Sequence, residues 1–456
     1  MTLDIQRAGQ IDRQSLFHPF TSVADLMRDG PRIMTEGKGV RLKDIHGQEY
    51  LDGMAGLWCV TMGYGRQEIV DAIAEQSARL SFFHAFNSLS SDIVVECAEM
   101  LKERAPMPTA RIFFGASGSD ANETQLKLIW YYNNLLGRPN KKKVIARWGS
   151  YHGSAVATGG LSGLPGMHGL FDLPKGPILH TSSSHHYRQA PEGMSERQFS
   201  RKLAEELDAL IEREGADTVA AFFVEPVQGA GGLVPPPEGY FEEILPVLEK
   251  HDVLLVADEV ITGFGRLGTY WGCQSYGLQP DLLTTAKGIT SGYFPVSACL
   301  VSPKIWDVIE SKSDEAGLFA HGFTYSAHPV GAAAAVATMK LLDEERIVDA
   351  AAETGDYFHL RMREAVGDHP LVGEIRGRRM MLGVELVKDR ATKESFPIGE
   401  RVGRRMLTQM FDRGLVSRAL GDTLVFAPPL VITMAEIDEL VGKFADSLHA
   451  VATELL

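Results

Sequence analysis

Cysteine is scarce and not paired by spacing in this chain. Cys59, Cys97, Cys273 and Cys299 form no CxxC motif and read as free thiols in a reducing compartment. Long apolar runs are absent as well. No stretch of about 18 apolar residues occurs, so no membrane span is expected. The N-terminal MTLDIQRAGQIDRQ has no apolar signal core, and the expected location is the cytoplasm. Positive charge is in deficit: the formal net charge of -14 argues against a general nucleic-acid binder. The one compact basic run, Lys141-Lys142-Lys143, reads as a solvated turn ahead of a strand. Internal repeats and low-complexity segments are not evident.

What is present is ordinary for a large globular protein. A chain of 456 residues buries a substantial core and forms two or more packed units. Hydrophobic residues make up 45% and charged residues 23%, so nothing marks a fibrous or disordered chain. The first 60 residues read as short extended segments and turns, with a hairpin from Gly39 to Gly53 turning at His46-Gly47. RQEIVDAIAEQSARLSFF and SSDIVVECAEMLKERA carry helical spacing. From about residue 111 short apolar runs alternate with loops and helices: ARIFF, KKVIARW, TVAAFFVEP, VLLVADEV, DLLTTA and VSACLV. Near-continuous Val, Leu, Ile and Ala in such runs predicts strands covered on both faces, as in a mostly parallel sheet. Pro329 opens a long helix. The tail offers a helix, a strand at MLGVELV, a helix at GERVGRRMLTQMFDRG and a last helix from about Met434. The expected architecture is α/β. Residues 66–329 form a large domain, and 1–65 with 330–456 form a smaller α+β one.

Two residues stand where apolar runs stop: Asp258 after LLVA and Lys287 after DLLTTA. Ligands of open α/β sheets bind at the C-terminal ends of strands. A buried lysine is costly without a purpose, and it becomes a nucleophile when its surroundings lower its pKa. An acid beside it can hold a ring nitrogen protonated. For each residue alone a structural reading stays open. Val260 would project to the same side as Asp258. Glu259 alternates away and is expected to form a structural salt bridge. Gly115-Ala116-Ser117-Gly118-Ser119 precedes a helix and reads as a phosphate cradle or as a plain N-cap turn, with Asp120 as a capping residue. Its spacing is neither that of a dinucleotide fingerprint nor that of a Walker loop. Tyr151 either stacks on a flat ring or packs in the core. His152 reads as a hydrogen bonder. No carboxylate or cysteine stands at ligand spacing from His152, His185 or His186, so no metal is expected.

Together the motifs FFGASGSDANETQLK (113–127), YHG (151–153), VEPVQGAGG (224–232), LLVADEVITGFGRLG (254–268), AKG (286–288) and HGFTYSAHPVGAAAA (321–335) resemble those of the class III pyridoxal-phosphate aminotransferases of fold type I. The resemblance runs from LKDIHGQEYLDGMAGLW to APPLVIT, with the omega-transaminases that move amines to pyruvate as the nearest subgroup. It implies a mostly parallel seven-stranded sheet and pyridoxal 5'-phosphate held as a Schiff base on Lys287, which also shuttles the proton. By the same resemblance Asp258 pairs with the pyridine nitrogen, Val260 packs behind the ring and Tyr151 stacks before it. Gly118 and Ser119 bind the phosphate, and His152, Glu225 and Gln228 lie near the cofactor. Thr324 resembles a phosphate contact lent by a second subunit, which implies a homodimer with shared sites and leaves a tetramer open.

Two departures bear on the substrate. Ala230 stands where ornithine-type relatives carry a glutamate, and Ile261 where they carry glutamine. Arg418 then resembles the arginine that grips a keto acid's carboxylate and swings aside for an apolar amine. Trp58, Phe86 and Phe17 resemble the aromatic wall of a two-pocket site. The implied reaction is (S)-amine to pyruvate transamination. The alternatives are an amino-acid or omega-amino-acid donor, or a decarboxylase or aminomutase of the same fold. A dehydrogenase and a non-catalytic scaffold are the remoter rivals.

Overall fold

The computed structural model describes residues 5–174 and 176–455. The first four residues of the N-terminus, and the outer limits of the expected small domain at 1 and 456, lie outside the described residues. Alternation along the strands explains the central layer. Along Leu254–Asp258, Leu255 and Ala257 join one apolar cluster, while Leu254 and Val256 join another on the opposite face. Val219–Val224 divides the same way, with Phe222 and Val224 on one side and Ala221 and Phe223 on the other. Such strands have no face for water, which is why they read as continuous apolar runs.

The large sheet has seven strands. From edge to edge they are Arg111–Gly115, Ser297–Val301, Leu282–Thr285, Leu254–Asp258, Val219–Val224, Lys143–Arg147 and Ile178–Thr181. Ser297–Val301 runs antiparallel to both of its neighbours, and the pairs beyond it are parallel. The C-terminal ends of six strands therefore meet at one edge, together with the start of the antiparallel strand at Ser297. The helix Gly118–Leu135 covers one face of the sheet with Leu126, Leu128, Ile129 and Tyr132.

The two ends of the chain share a second sheet. Met34–Lys38, Arg41–Asp44 and Glu49–Asp52 form an antiparallel set, and Leu415–Val416 adds to it in parallel. Val372–Arg378, Met381–Leu386, Thr423–Phe426 and Arg418–Leu420 make a third sheet. The long helix Pro329–Glu344 lies against Gln67–Arg79 and Asp92–Arg104. Its run of alanines is buried, which lets the helices approach closely. Among the described residues no helix is long and apolar enough to cross a membrane.

Three expectations need correction. The N-terminal region is not only extended: Ile5–Ser15 and Val23–Asp29 are helices. The second is capped by Ser22 and tied to the far end of the chain through Asp25, which bonds Arg401. The lysine run is not a solvated turn. Lys141 is buried and donates to the His251 carbonyl, Lys142 donates to the Trp130 carbonyl and Lys143 pairs with Glu214. Glu259 forms no salt bridge among the described residues. Its buried carboxylate accepts hydrogen bonds from the amides of Gly272 and Cys273 and from Thr262 Oγ1, so backbone donors do the work expected of a cation.

Candidate active site

The strand edge opens into a cavity of about 390 Å³ lined by residues that include Ser117, Gly118, Ser119, Asn122, Tyr151, His152, Glu225, Asp258, Val260, Ile261 and Lys287. Parallel topology is what collects them. Tyr151 and His152 follow Lys143–Arg147, Glu225 follows Val219–Val224, Asp258 ends its own strand, and Lys287 stands two residues beyond Leu282–Thr285.

Asp258 shares the strand face of Leu254 and Val256, against the helix Gly118–Leu135. Its Oδ2 accepts from Asn122 Nδ2 at 2.8 Å and contacts His152 Nδ1 at 2.9 Å, while Oδ1 accepts from the Val260 amide at 3.1 Å. Three donors converging on two oxygens suit an ionised carboxylate. With Nδ1–H of His152 turned to Asp258, Nε2 is the acceptor of the ring, and it is buried without a partner among the described residues.

Lys287 begins a short 3-10 turn with φ of 45°, a conformation that non-glycine residues seldom adopt and that concentrates at functional sites. Its ammonium has no hydrogen bond or ion pair among the described residues. Burial pushes its pKa below the ordinary lysine value, against the opposing pull of Cys59, Asp258 and Glu225. The N-cap reading of the glycine turn is met, and the turn still leaves donors that a phosphate would use. Ser117 and Asp120 make a reciprocal capping box, and Asp120 also accepts from the Ala116 amide and from Ser297 Oγ. The first amides of the helix, Gly118 and Ser119, have no intrahelical acceptor. They sit at the positive end of an 18-residue helix. Ser119 Oγ accepts from the Ser154 amide, which leaves its own hydrogen free to donate.

Glu225 is buried and bridges two loops, accepting from the Tyr151 amide at 3.0 Å and the Gly229 amide at 2.8 Å. Burial raises its pKa. Gln228 braces the same loops through Trp148 O and Ser184 Oγ. Here the backbones touch: a Cβ on Gly231 would stand 2.1 Å from the Gly149 carbonyl oxygen. Gly231→Ala is therefore expected to cost about 2 kcal/mol or more, because the obstacle is backbone rather than a yielding side chain. A thermal melt of the variant checks this, and an unchanged melting temperature would contradict the contact.

The structure does not gather every expected residue. Trp58 lies with its ring centroid 5.8 Å from Lys287 Nζ and 5.4 Å from the Arg418 guanidinium carbon. Arg418 is half-buried, has no carboxylate partner among the described residues, and has its pKa lowered by burial. Ala230 is half-buried in the loop beside Gly229 and Gly231. Phe17 is 87% exposed in a groove formed by residues 13–27, away from the cavity, and Phe20 instead sets its ring edge-on to Tyr151 at 6.4 Å. Phe86 lines a separate cavity with Phe113, His321 and Gly322, and Thr324 is exposed. Asn122 was not foreseen. Its position four residues after Gly118 puts it on the same helix face, a signal the sequence did carry. Gly263, Gly265 and Gly268 have GxGxxG spacing, but they open no α-helix, only the short 3-10 turn Gly272–Tyr276, so they form no dinucleotide turn.

His185 comes within metal-ligand distance of Glu374 and Glu385. Arg376 and Arg188 already bond those carboxylates, leaving a charge-balanced network.

The cavity suits one cofactor type. A free amine, a carboxylate at a strand end and a helix N-terminus are the partners that an aldehyde, a ring nitrogen and a phosphate require, and all three line one space. Fold and site define a pyridoxal-phosphate-dependent transferase of fold type I. The chain belongs to the aminotransferase class-III family, whose model matches residues 25–448. It is a pyridoxal-phosphate-dependent aminotransferase acting on small amines and keto acids. A solved transaminase from a study of ancestral reconstruction is 49% identical with a TM-score of 0.97, covering 99% of this chain and 100% of that one. An omega-transaminase from Pseudomonas jessenii, solved in complex with PMP, is 41% identical with a TM-score of 0.96, covering 98% of each chain. A diaminobutyrate–2-oxoglutarate transaminase of Halomonas elongata is 46% identical over 97% of this chain and 96% of its own length.

Proposed function

We propose that the enzyme transfers the amino group of a primary amine, with preference for the (S)-enantiomer, to pyruvate by a ping-pong cycle that yields a ketone or aldehyde and alanine. The observation that carries this reading is Arg418: a half-buried guanidinium beside Trp58 with no carboxylate to hold it among the described residues. Such a group binds a keto acid's carboxylate through two parallel hydrogen bonds. With Ala230 in the adjacent loop no glutamate holds the arginine aside. The likeness to the Pseudomonas jessenii omega-transaminase supports it.

Bound pyridoxal phosphate supplies an aldehyde that takes up the amine and a ring that withdraws electrons from the bond being broken. Lys287 Nζ takes the proton from the donor's α-carbon and returns it, a role served by its lowered pKa. Asp258 holds the proton on the ring nitrogen, and His152 and Asn122 keep that carboxylate aimed. Val260 and Tyr151 enclose the ring. Gly118 and Ser119 hold the phosphate with backbone and hydroxyl donors. Glu225 fixes the loop bearing Tyr151.

A homodimer completes the site in this reading. Thr324, Phe86 and Phe17 are exposed and do not line their own chain's cavity, and Phe82, Phe83, Leu318 and Tyr325 are exposed as well. Thr324 reaches the partner's phosphate. Light scattering distinguishes dimer from tetramer, and an active monomer would refute shared sites. The four free cysteines support the cytoplasm as the compartment.

The deciding experiment is an absorbance titration of the holoenzyme. Bleaching at about 420 nm with (S)-1-phenylethylamine, reversed by pyruvate, is the expected result. The likeness to the diaminobutyrate enzyme favours a second reading, an omega-amino-acid donor with 2-oxoglutarate. A band moved by diaminobutyrate and not by the aryl amine would select it. Arg418→Ala is expected to raise KM for pyruvate by about 10- to 100-fold, as loss of a charge-assisted pair predicts. The half-reaction with 1-phenylethylamine should change little. Equal losses in both half-reactions would remove Arg418 from the keto-acid role.

A further inference from the structure

The turn that carries Trp58 is held in an unfavourable backbone conformation. Ala55 and Trp58 have φ of 49° and 59°, and Gly56 between them has φ of 67° with ψ of -82°. Conformations of this kind persist only where the surroundings over-determine them. One side chain does so here. Asp52, fully buried at the end of Glu49–Asp52, accepts from the Met54 amide at 2.8 Å on Oδ1. Its Oδ2 accepts from the Gly56 amide and the Tyr64 hydroxyl, both at 2.7 Å. The Trp58 ring is buried in an apolar cluster and its amide donates to the Met54 carbonyl at 2.8 Å, but its Nε1 has no partner among the described residues, so no side-chain hydrogen bond of its own fixes the ring. The strand of Asp52 also pairs in parallel with Leu415–Val416, placing Asp52 opposite Val416, two residues before Arg418. The carboxylate thus stands at the root of both Trp58 and Arg418; none of the three lines the cavity itself, and Trp58 borders it through Lys287, whose Nζ is 5.8 Å from the ring centroid.

We propose that Asp52 is a positioning residue for donor specificity: by holding the 54–58 turn it fixes the distance from the Trp58 ring to Lys287 and so sets which amines fit. The inference rests on the reading of Trp58 as a wall of the donor pocket. Asparagine is nearly isosteric but offers one acceptor oxygen to donors that use two, and its amide opposes the third donor. Phenylalanine at position 64 removes a single hydrogen bond.

The test compares kcat/KM of the holoenzyme for a small amine, isopropylamine, and a bulky one, 1-phenylbutylamine, in wild type, Asp52→Asn, Tyr64→Phe, Trp58→Ala and the Asp52→Asn/Trp58→Ala double variant. Asp52→Asn is expected to raise the bulky-to-small ratio by about tenfold, and Tyr64→Phe to move it the same way by less. In the Trp58→Ala background Asp52→Asn should leave the ratio within about twofold, since the side chain it positions is gone. Equal losses on both amines, or a shift that persists without Trp58, would overturn the proposal. If Asp52→Asn does not fold, an unchanged ratio in Tyr64→Phe overturns it equally. A ratio unmoved by Trp58→Ala alone rejects the pocket wall, and the proposal with it, and is told apart by that single variant.

Discussion

Lys287→Ala is expected to lower turnover by about 10⁴-fold or more and to abolish the band at about 420 nm. In the proposed mechanism the variant loses both the nucleophile that carries the cofactor and the base that moves the proton. General acid–base catalysis by one positioned group accounts for about 10²–10⁴ on its own. Nothing nearby substitutes: Arg418 stays charged, and no other lysine lines the cavity. The same side chain has an opposite signature in the cofactor-free protein. Burial lowers its pKa below the ordinary 10.5. Between the lowered value and 10.5 the unfolded chain therefore binds a proton that the folded chain has shed. Stability then rises with pH across that window, and the burial penalty is largest below it. Cofactor-free Lys287→Met should melt above the cofactor-free wild type at neutral pH, with the gap closing as pH approaches 10.5. A variant that melts lower at neutral pH would show that the amine is not penalised where it sits.

Asp258→Asn is the second large effect, with an expected loss of about 10²–10⁴ in kcat at saturating cofactor. An asparagine lacks the charge that holds a ring nitrogen protonated. It also turns an N–H₂ toward donors already in place, since Asn122 Nδ2, His152 Nδ1 and the Val260 amide all approach this carboxylate. Measurement of both half-reactions separates this from weak cofactor binding. A loss under about tenfold with cofactor bound would mean that the carboxylate does not serve the ring. The neighbouring acid is the control. Glu259 is equally buried but bonds Thr262, Gly272 and Cys273 on the other side of the strand. Glu259→Gln should therefore lower the melting temperature while leaving the balance of the half-reactions unchanged.

How much was legible follows from how local each signal is. The strands of the central sheet stood out because burial on both faces leaves an uninterrupted apolar run. Lys287 and Asp258 stood out because a charge at the end of such a run is costly. The sequence of the helix at 5–15 carries only a thin apolar stripe, Ile5, Ala8 and Ile11, in a mostly polar segment, and the seven-residue helix at 23–29 is secured by a contact between Asp25 and Arg401 across the chain, which no local pattern shows. Glu259 was given the wrong partner because backbone amides leave no mark in a sequence. Phe17 enters on resemblance, and nothing in the sequence marks Phe20; only the path of the segment before Val23–Asp29 sets Phe20 against Tyr151.

By itself the sequence determined the family and the α/β class and marked Lys287 and Asp258 as the candidate amine and acid, because these depend on residue type at strand ends and on short motifs. The tertiary structure alone decided which groups meet: Asn122 and His152 on one carboxylate, Trp58 beside both Lys287 and Arg418, and Asp52 beneath the turn that bears Trp58. Those contacts join segments separated by tens to hundreds of residues, and their geometry comes from strand pairing and packing, which no local pattern encodes.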